Sequence, residues 1–309
     1  MMENILITGA AGFIGTKLAE ELSGQQCNIY ALIEKGDFAG KEKLYALNHD
    51  IHLIDDAAYL FEHAASFPAF NKIFHLATVG VRPDFEDMDL ICDVNIKMSC
   101  RLVRFAKDNH SRLLVNCGSC FEYGDHGGVL LTEDMHCAPA SFYAISKNAS
   151  TELVTAYAKN LQVNAITVRP FGVFGEGEGP ERLAPSVIRS CMAGNVIKTT
   201  PGEQVRDFVN VRDLVRAVIR LSQSAYRPYE IYNICSDNPV KVRDFILEIV
   251  DVCGFDRSLI DFGSIPYRKN EAMVFAGDNQ KLQSIIHYPF PGDHRDGILE
   301  IYHSMKTEE

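Results

Sequence analysis

The sequence predicts an α/β protein with a Rossmann-like, doubly wound parallel sheet and a smaller, mixed α/β C-terminal lobe. Short apolar segments alternate with segments of helical periodicity up to about residue 169, an order typical of βαβ units. The apolar segments carry few charges on either face, as strands of a buried parallel sheet do. Three closely spaced glycines follow the first of them, where such a sheet turns into its first helix.

Six strands and three helices are predicted in the first domain, which we assign to residues 1–169. The strands are rich in Ile, Leu and Val and cover 4–8, 29–33, 51–54, 72–77, 112–117 and 164–168. The helices place apolar residues at helical spacing and cover 13–22, 89–109 and 142–159.

The remaining residues, 170–309, show a looser pattern that begins with clustered glycine and proline. Helices are predicted at 182–193, 212–223, 242–253 and 296–305, and strands at 205–209 and 229–234. We expect this region to form mainly a second lobe, with strands around 205–211 and 229–235 returning to the first domain. The crevice at the carboxyl edge of the sheet is then the expected ligand site.

Charge and composition argue against several classes of protein. The chain has 30 basic and 41 acidic residues, and the resulting charge of −11 repels a phosphate backbone, so we predict no nucleic-acid partner. No apolar stretch reaches the roughly 18 residues of a membrane helix, and the first residues lack a basic signal start, which predicts a cytoplasmic protein without a membrane partner. Nine cysteines and ten histidines, Cys117 and Cys120 included, show no metal-site spacing and predict reduced thiols without a metal.

Gly9, Gly12 and Gly15 have the spacing Gly-x-x-Gly-x-x-Gly between the first strand and the first helix. Backbone N–H groups and the dipole of a helix N-terminus favour an anionic diphosphate at such a turn. The spacing alone also fits a tight strand-to-helix turn, but its place in the first βαβ unit favours a dinucleotide.

Glu34 and Lys35 follow the second strand, where the adenosine ribose of a dinucleotide binds. An acidic residue there accepts hydrogen bonds from the ribose hydroxyls, so Glu34 favours NAD(H), whereas Lys35 leaves NADP(H) open. A solvated strand end is the structural alternative for Glu34.

Tyr143 and Lys147 lie four residues apart on one face of a predicted helix, and Ser119 follows the strand at 112–117. An ammonium group beside a phenol favours the phenolate, and a hydroxyl group can hold the reacting oxygen. The three residues therefore predict proton transfer coupled to hydride transfer at a carbonyl or alcohol. The structural alternative is that Ser119 caps a turn and Tyr143 packs in a core.

These motifs resemble the extended short-chain dehydrogenase/reductase superfamily, and within it the NAD-dependent epimerase/dehydratase family that acts on nucleotide sugars. The matching segments extend over nearly the whole chain: 8–15, 75–78, Asn95, Ser119, Tyr143, Lys147, 169–170, 205–211 and 267–271. The resemblance implies cofactor contacts from Gly9, Gly12, Phe13, Ile14, Gly15, Glu34, Leu76, Ala77, Thr78, Asn95, Tyr143, Lys147 and Pro170. It implies substrate contacts from Ser119, Tyr143, Arg206 and Arg268, with the two arginines on the diphosphate of a nucleoside-diphosphate sugar.

The resemblance also implies a homodimer built on the helices at 89–109 and 142–159. Apolar residues on these helices equally fit a role in covering the sheet. We predict the dimer.

Departures from the family patterns narrow the predicted reaction. The 4,6-dehydratases carry an Asp-Glu pair where this chain has Cys120 and Phe121, and dehydration needs that acid and base. The 3,5-epimerase/reductases carry a cysteine one place after Cys120 and a distant histidine. The asparagine usual after Arg-Pro-Phe is Gly172 here.

The remaining pattern is most similar to the CDP-abequose synthase-like 4-ketoreductases of nucleotide deoxysugars. It predicts an NAD(P)H-dependent reductase of a nucleoside-diphosphate 4-keto-6-deoxysugar. A nucleotide-sugar 4-epimerase with retained NAD and a non-catalytic dinucleotide-binding sensor are the alternatives.

Overall fold

The computed structural model describes residues 2–48, 50–82, 85–268 and 271–307. Seven strands of these residues form one parallel sheet: β1 (Glu3–Thr8), β2 (Cys27–Leu32), β3 (His52–Ile54), β4 (Lys72–His75), β5 (Leu114–Cys117), β6 (Ala165–Pro170) and β11 (Ile231–Ile234). Their order is β3-β2-β1-β4-β5-β6-β11. The order reverses between β1 and β4, so the predicted doubly wound sheet is confirmed, with its ligand crevice at that point.

Eleven α-helices of the described residues surround the strands. They are α1 (Phe13–Ser23), α2 (Phe38–Leu47), α3 (Ala57–Glu62), α4 (Met88–Ile91), α5 (Met98–Asp108), α6 (Phe142–Leu161), α7 (Leu183–Met192), α8 (Val211–Gln223), α9 (Val242–Cys253), α10 (Gln280–Ile286) and α11 (Arg295–Thr307). The helix predicted at 89–109 is continuous, but six residues between α4 and α5, Cys92–Lys97, are π-helical.

The sheet is covered on both faces because β1 alternates its side chains between two cores. Ile5 and Ile7 point into the core formed with α1 and α8, whereas Leu6 points into the core formed with α5 and α6. Leu18 of α1 and Val154 of α6 are buried in these two cores, respectively. Burial on both faces explains the continuous apolar pattern of the strands.

The C-terminal lobe packs α7, α9 and α11 around a third core, in which Ile188, Phe245 and Ile298 are buried. Its short strands form three small sheets: β7 (Gly172–Phe174) with β10 (Phe208–Asn210), β8 (Ile197–Thr199) with β13 (Ile260–Phe262), and β9 (Val205–Arg206) between β12 (Val240–Lys241) and β14 (Val274–Phe275).

One predicted strand returns to the large sheet and the other does not. The segment at 229–235 supplies β11, which pairs with β6. The segment at 205–211 divides at Asp207 into β9 and β10, which pair in two of the small sheets and not in the large one, although Val209 of β10 is buried in the core formed with α1 and α8. The buried Asp207 carboxylate accepts hydrogen bonds from the backbone and hydroxyl of Ser236 and holds the segment there.

Candidate active site

The glycine turn packs tightly against the end of β4. Gly9 has a φ of +67°, and a Cβ at this position would lie 2.7 Å from the Ala77 nitrogen. A Cβ at Gly15 would lie 2.1 Å from the Gly9 carbonyl oxygen. The backbones are therefore closer than any side chain permits, as a turn that carries a ligand requires.

Helix α1 begins directly after this turn. Its N-cap is Gly12, and no side chain of the described residues caps the N-terminus. Phe13 and Ile14 form the first turn of the helix, so backbone N–H groups at its positive end remain for an anion. This arrangement fits a diphosphate group.

Glu34 lies just beyond the carboxyl end of β2, and its side chain is exposed, as is that of Lys35. Ile33, before them, is buried. The structure thus leaves both side chains accessible at the edge where the sequence predicts the adenosine ribose.

Buried hydrogen bonds fix His75 at the end of β4. The predicted cofactor contacts Leu76, Ala77 and Thr78 come directly after it in the chain. Thr8 Oγ1 lies 2.7 Å from His75 Nδ1, and His75 Nε2 lies 2.8 Å from Ser99 Oγ. Burial and, to a smaller extent, the charge of Lys147 lower the pKa of His75 to about 3, so the imidazole is neutral.

Asn95 has an indirect place in the site. It is completely buried in the π-helical segment, and its Oδ1 accepts hydrogen bonds from Thr78 Oγ1 (3.1 Å) and the Val79 nitrogen (3.0 Å). Its Nδ2 donates to the Val79 oxygen (3.0 Å) and Ser146 Oγ (2.9 Å). Protein groups thus use the whole amide, and Asn95 holds the segment after β4 against α6.

Ser119 lies just past β5, where it caps a short 3₁₀ turn that ends at Glu122. Its nitrogen donates to Glu122 Oε1 at 2.7 Å, and its hydroxyl oxygen accepts from the Phe121 nitrogen at 3.3 Å. Because the hydroxyl oxygen is an acceptor in this bond, its own proton is available to a ligand.

Tyr143 is the second residue of α6, whose N-cap Ser141 accepts a hydrogen bond from the Ala144 nitrogen. The structure brings the phenol beside Ser119. Burial raises the pKa of Tyr143, and neighbouring Cys117 raises it further, whereas a hydrogen-bonding interaction with Ser119 lowers it. The net shift is upward and Lys147 is not among its main causes, so the lowering of the pKa predicted from the ammonium group is not found and Tyr143 carries its proton at neutral pH.

Lys147 lies one turn further along α6, on the same face, and is 2% exposed. No hydrogen bond or ion pair joins its ammonium group to another described residue. Burial lowers the pKa of Lys147, while Cys117 and Glu122 raise it. A buried ammonium without a protein acceptor fits the hydroxyl groups of a ligand such as the nicotinamide ribose.

The buried Pro170 ends β6 and lines a small apolar cavity together with Ile14, Leu76 and Cys117. This cavity joins the first turn of α1 to the ends of β4, β5 and β6. Three of the predicted apolar cofactor contacts, Ile14, Leu76 and Pro170, therefore share one place in the fold.

Arg206 and Arg268 belong to the C-terminal lobe. Arg206 Nη2 lies 2.6 Å from Glu271 Oε1, and burial lowers the pKa of Arg206 while Glu271 raises it. The charge of Arg206 also acts on Cys120, next to Ser119. Arg268 is exposed, and its carbonyl oxygen accepts a hydrogen bond from the Glu271 nitrogen. Part of its predicted motif, residues 269–270, lies outside the described residues.

Sequence reasoning missed one pair of residues. Glu122 and Arg169 are 0% and 1% exposed, and Glu122 Oε2 accepts from Arg169 Nε at 3.0 Å and Nη2 at 2.8 Å. The signal was present, because a serine followed three residues later by glutamate is the pattern of a capping box.

No cluster of three potential metal ligands occurs among the described residues. Within the same ranges, no helix has the length and apolar character needed to cross a membrane.

Comparison with known proteins gives one family. The model of the NAD dependent epimerase/dehydratase family matches residues 5–235. The chain is 26% identical over 306 residues to CDP-abequose synthase of Salmonella typhimurium, covering 97% of this chain and 98% of that protein. It is 24% identical over 279 residues to dTDP-4-dehydro-6-deoxy-D-allose reductase of Streptomyces bikiniensis, covering 81% of each.

A solved structure with the same fold is UDP-glucuronic acid 4-epimerase from Bacillus cereus, in complex with UDP-glucuronic acid and NAD. It superposes with a TM-score of 0.87 at 22% identity, covering 99% of this chain and 100% of the other. This similarity confirms the Rossmann-like fold.

Proposed function

The chain belongs to the NAD dependent epimerase/dehydratase family, and we propose that it is an NAD(P)H-dependent reductase of a nucleoside-diphosphate 4-keto-6-deoxysugar. The observation that carries the proposal is the meeting of Ser119, a protonated Tyr143 and an unpartnered Lys147 at the carboxyl edge of the sheet. The names of the two relatives, CDP-abequose synthase and dTDP-4-dehydro-6-deoxy-D-allose reductase, support a deoxysugar nucleotide as substrate.

The surroundings of Ser119 support reduction over dehydration. Elimination of water needs a carboxylic acid and a carboxylate near the sugar. Cys120 and Phe121 occupy the places that hold these groups in the dehydratases, and the next residue, Glu122, is buried in its ion pair with Arg169. Reduction of a ketone needs one proton donor, which Tyr143 supplies.

The cofactor is NAD(H) in this proposal. The glycine turn and Phe13 and Ile14 would hold the diphosphate, Glu34 the adenosine ribose, and Lys147 the nicotinamide ribose. Leu76, Ala77, Thr78 and Pro170 would line the path between them. The bound cofactor supplies hydride to C4 of the sugar.

The chain's own residues manage the proton. Tyr143 donates its proton to O4, and its raised pKa keeps that proton in place until the oxygen becomes basic. Ser119 donates a hydrogen bond to the same oxygen, and the Lys147 ammonium stabilises the phenolate that remains. Arg206 and Arg268 bind the diphosphate of the sugar nucleotide, for which Arg206 exchanges its partner Glu271.

Cofactor turnover tests the proposal. The purified chain is incubated with CDP-, GDP-, UDP- and dTDP-linked 4-keto-6-deoxysugars and with NADH or NADPH, and loss of the reduced cofactor is followed by absorbance. We expect stoichiometric oxidation with one sugar nucleotide, and none with the Tyr143→Phe variant.

A 4-epimerase is the second candidate, because the solved neighbour from Bacillus cereus carries that name. It would use the same three residues but retain its cofactor. Interconversion of two sugar nucleotides without oxidation of added NADH or NADPH would overturn the reductase and establish the epimerase.

We place the protein in the cytoplasm, as its nine free cysteines fit a reducing compartment. Oxidised cysteines in protein purified under thiol-trapping conditions would contradict this.

We also propose a homodimer that covers apolar side chains on α4 and α6. Phe142, Ile145 and Leu153 share one face of α6 and are 59%, 50% and 45% exposed, and Leu90 of α4 is 41% exposed. Light scattering should give twice the chain mass, Ile145→Arg should give monomer, and Phe38→Arg on α2 should leave the dimer intact. A monomeric wild-type protein at micromolar concentration contradicts the proposal.

A further inference from the structure

The turn that carries Ser119 is held by a buried ion pair that spans two strands. Glu122 Oε1 accepts the Ser119 N–H at 2.7 Å, and Glu122 Oε2 accepts two hydrogen bonds from Arg169 at the end of β6. A Cβ at Gly118 would lie 2.4 Å from Glu122 Oε1, so the backbone before Ser119 closes directly on the carboxylate.

Arg169 is itself held from several sides. Its guanidinium lies 4.4 Å from the centre of the Tyr123 ring, and Nη2 also donates to Cys137 Sγ at 3.2 Å. The Tyr123 hydroxyl donates to Asn233 Oδ1 at 2.7 Å, and Asn233 is the residue of β11 that pairs with Arg169. The pair thus joins the serine turn to β6 and β11.

Stability alone does not account for this pair. Taking two charges out of water is costly, and a well-packed apolar replacement is often neutral or stabilising. Here the cost is increased, because Arg169 Nη1 is buried without an acceptor among the described residues. Glu122 contacts Ser119 directly, and Arg169 contacts Glu122.

We propose that Glu122 and Arg169 are positioning residues for Ser119: Glu122 fixes the serine backbone, and Arg169 fixes Glu122. The serine hydroxyl then meets the substrate oxygen in one defined place beside Tyr143. The kinetic test of this proposal rests on the proposed reductase function, whereas the exchange test does not.

The first test needs no substrate. Hydrogen–deuterium exchange of wild type, Glu122→Gln and Glu122→Ala is followed in the peptide that contains Ser119. Alanine removes the acceptor of the Ser119 N–H and should raise exchange there about tenfold or more, whereas glutamine keeps an acceptor and should raise it less. Peptides from α11 serve as the internal control and should not change. Equal exchange in wild type and Glu122→Ala overturns the proposal.

The second test uses the substrate found by the turnover screen. Glu122→Gln should lower kcat about 10- to 100-fold with KM changed less than about threefold, since a small displacement of a catalytic group costs rate and not binding. The pH profile should change as well. The charge of Glu122 raises the pKa values of Tyr143 and Lys147, so its loss should move the basic limb of kcat/KM to lower pH.

Cys117 and Cys120, from β5 and the serine turn, raise the pKa of Tyr143 together with Glu122, and Cys117 and Glu122 also raise that of Lys147, one turn along α6. The double variant Glu122→Gln/Arg169→Gln removes both charges of the pair and keeps an acceptor for Ser119. It should return the basic limb towards that of wild type, and it serves as the test if Glu122→Gln alone does not fold.

As a control, Lys281→Gln breaks an ion pair with Glu230 remote from Ser119 and should leave the profile unchanged. A lower kcat with an unmoved basic limb in Glu122→Gln shows a merely structural role and overturns the proposal. Failure of every sugar nucleotide to react would defeat the proposed function and leave the exchange test in force.

Discussion

At the scale of single residues, burial sets the protonation states of the site. Burial raises the pKa of Tyr143 and lowers those of His75 and Lys147. The phenol and the imidazole are therefore neutral at physiological pH, and Tyr143 carries the proton that the proposed reduction takes from it. An enzyme that reduces a ketone needs this state at the start of its reaction.

Lys147 is predicted to have opposite effects on stability and on cofactor binding. Its charge is buried without a partner among the described residues, so Lys147→Met should stabilise the cofactor-free protein by about 1–2 kcal/mol. The melting temperature should rise accordingly. The same change should weaken NADH binding at least tenfold. Thermal melts with and without NADH measure both, and Lys107→Met, on the exposed face of α5, is the control. A lower melting temperature for Lys147→Met would contradict this account.

Glu178 is predicted to make stability fall with rising pH. Burial raises the pKa of Glu178 from 4.5 to about 7, although Arg182 lowers it, and the side chain is 6% exposed. The folded state therefore binds this proton more tightly than the unfolded state. The stabilisation is complete below the unfolded pKa and is lost as the pH rises through the folded one.

Glu178→Gln removes that titration. The variant should be more stable than wild type by about 1–3 kcal/mol at about pH 8, and this difference in the free energy of unfolding should shrink towards about pH 5. Urea unfolding at both pH values measures it, with the exposed Glu62→Gln as control. A constant difference between variant and wild type at the two pH values would show that the titration does not matter.

At the scale of elements, α1 packs closely on the glycine turn, and the π-helical segment packs on the residues that follow β4. α1 begins under the glycine turn, and the π-helical segment between α4 and α5 places Asn95 against the end of β4. A π-helical turn inside a helix is often found at functional sites, where it re-aims a side chain.

Gly15→Ala is predicted to separate α1 from the glycine turn. The added Cβ would lie 2.1 Å from the Gly9 oxygen, so the helix has to shift. We expect the free energy of unfolding to fall by about 2–4 kcal/mol. NADH binding should be weakened as well. At Gly24, after the same helix, a Cβ would meet its nearest atom at 3.8 Å, and Gly24→Ala should keep both properties. Binding of NADH by Gly15→Ala with wild-type affinity would refute the close packing.

At the scale of the whole molecule, Arg212 connects the sheet domain to the C-terminal lobe. It is the second residue of α8 and donates hydrogen bonds to Glu20 of α1 at 3.0 Å and to Glu300 of α11 at 2.9 Å. Glu176, in the segment after β7, lies 3.6 Å away. One guanidinium thus balances carboxylates from three parts of the chain.

Arg212→Met is predicted to loosen this connection. The carboxylates around it would repel one another, and we expect a loss of about 1–3 kcal/mol that diminishes as salt screens them. Urea unfolding at low and high salt provides the measurement. Arg104→Met breaks an exposed ion pair with Asp108 on α5 and should cost less. A salt-independent loss would assign the effect to packing instead of charge.

The sequence predicted the elements whose residues carry a strong local pattern. The helix predicted at 13–22 is Phe13–Ser23, and that at 142–159 is Phe142–Leu161. Helices α2 and α3 were missed, because the first buries Gly40 and Leu44 and the second buries Leu60, too few residues for a visible apolar period.

By itself, the sequence predicted the doubly wound sheet, the glycine turn and the candidate set of Ser119, Tyr143 and Lys147, since each shows as a pattern of residue types along the chain. Tertiary structure alone decided the ion pair of Glu122 with Arg169, 47 residues away, and the placement of β9 and β10 outside the large sheet. It also decided that the pKa of Tyr143 is raised and not lowered. These features depend on which groups become buried together, and burial is a property of the packed molecule that no local pattern of residues specifies.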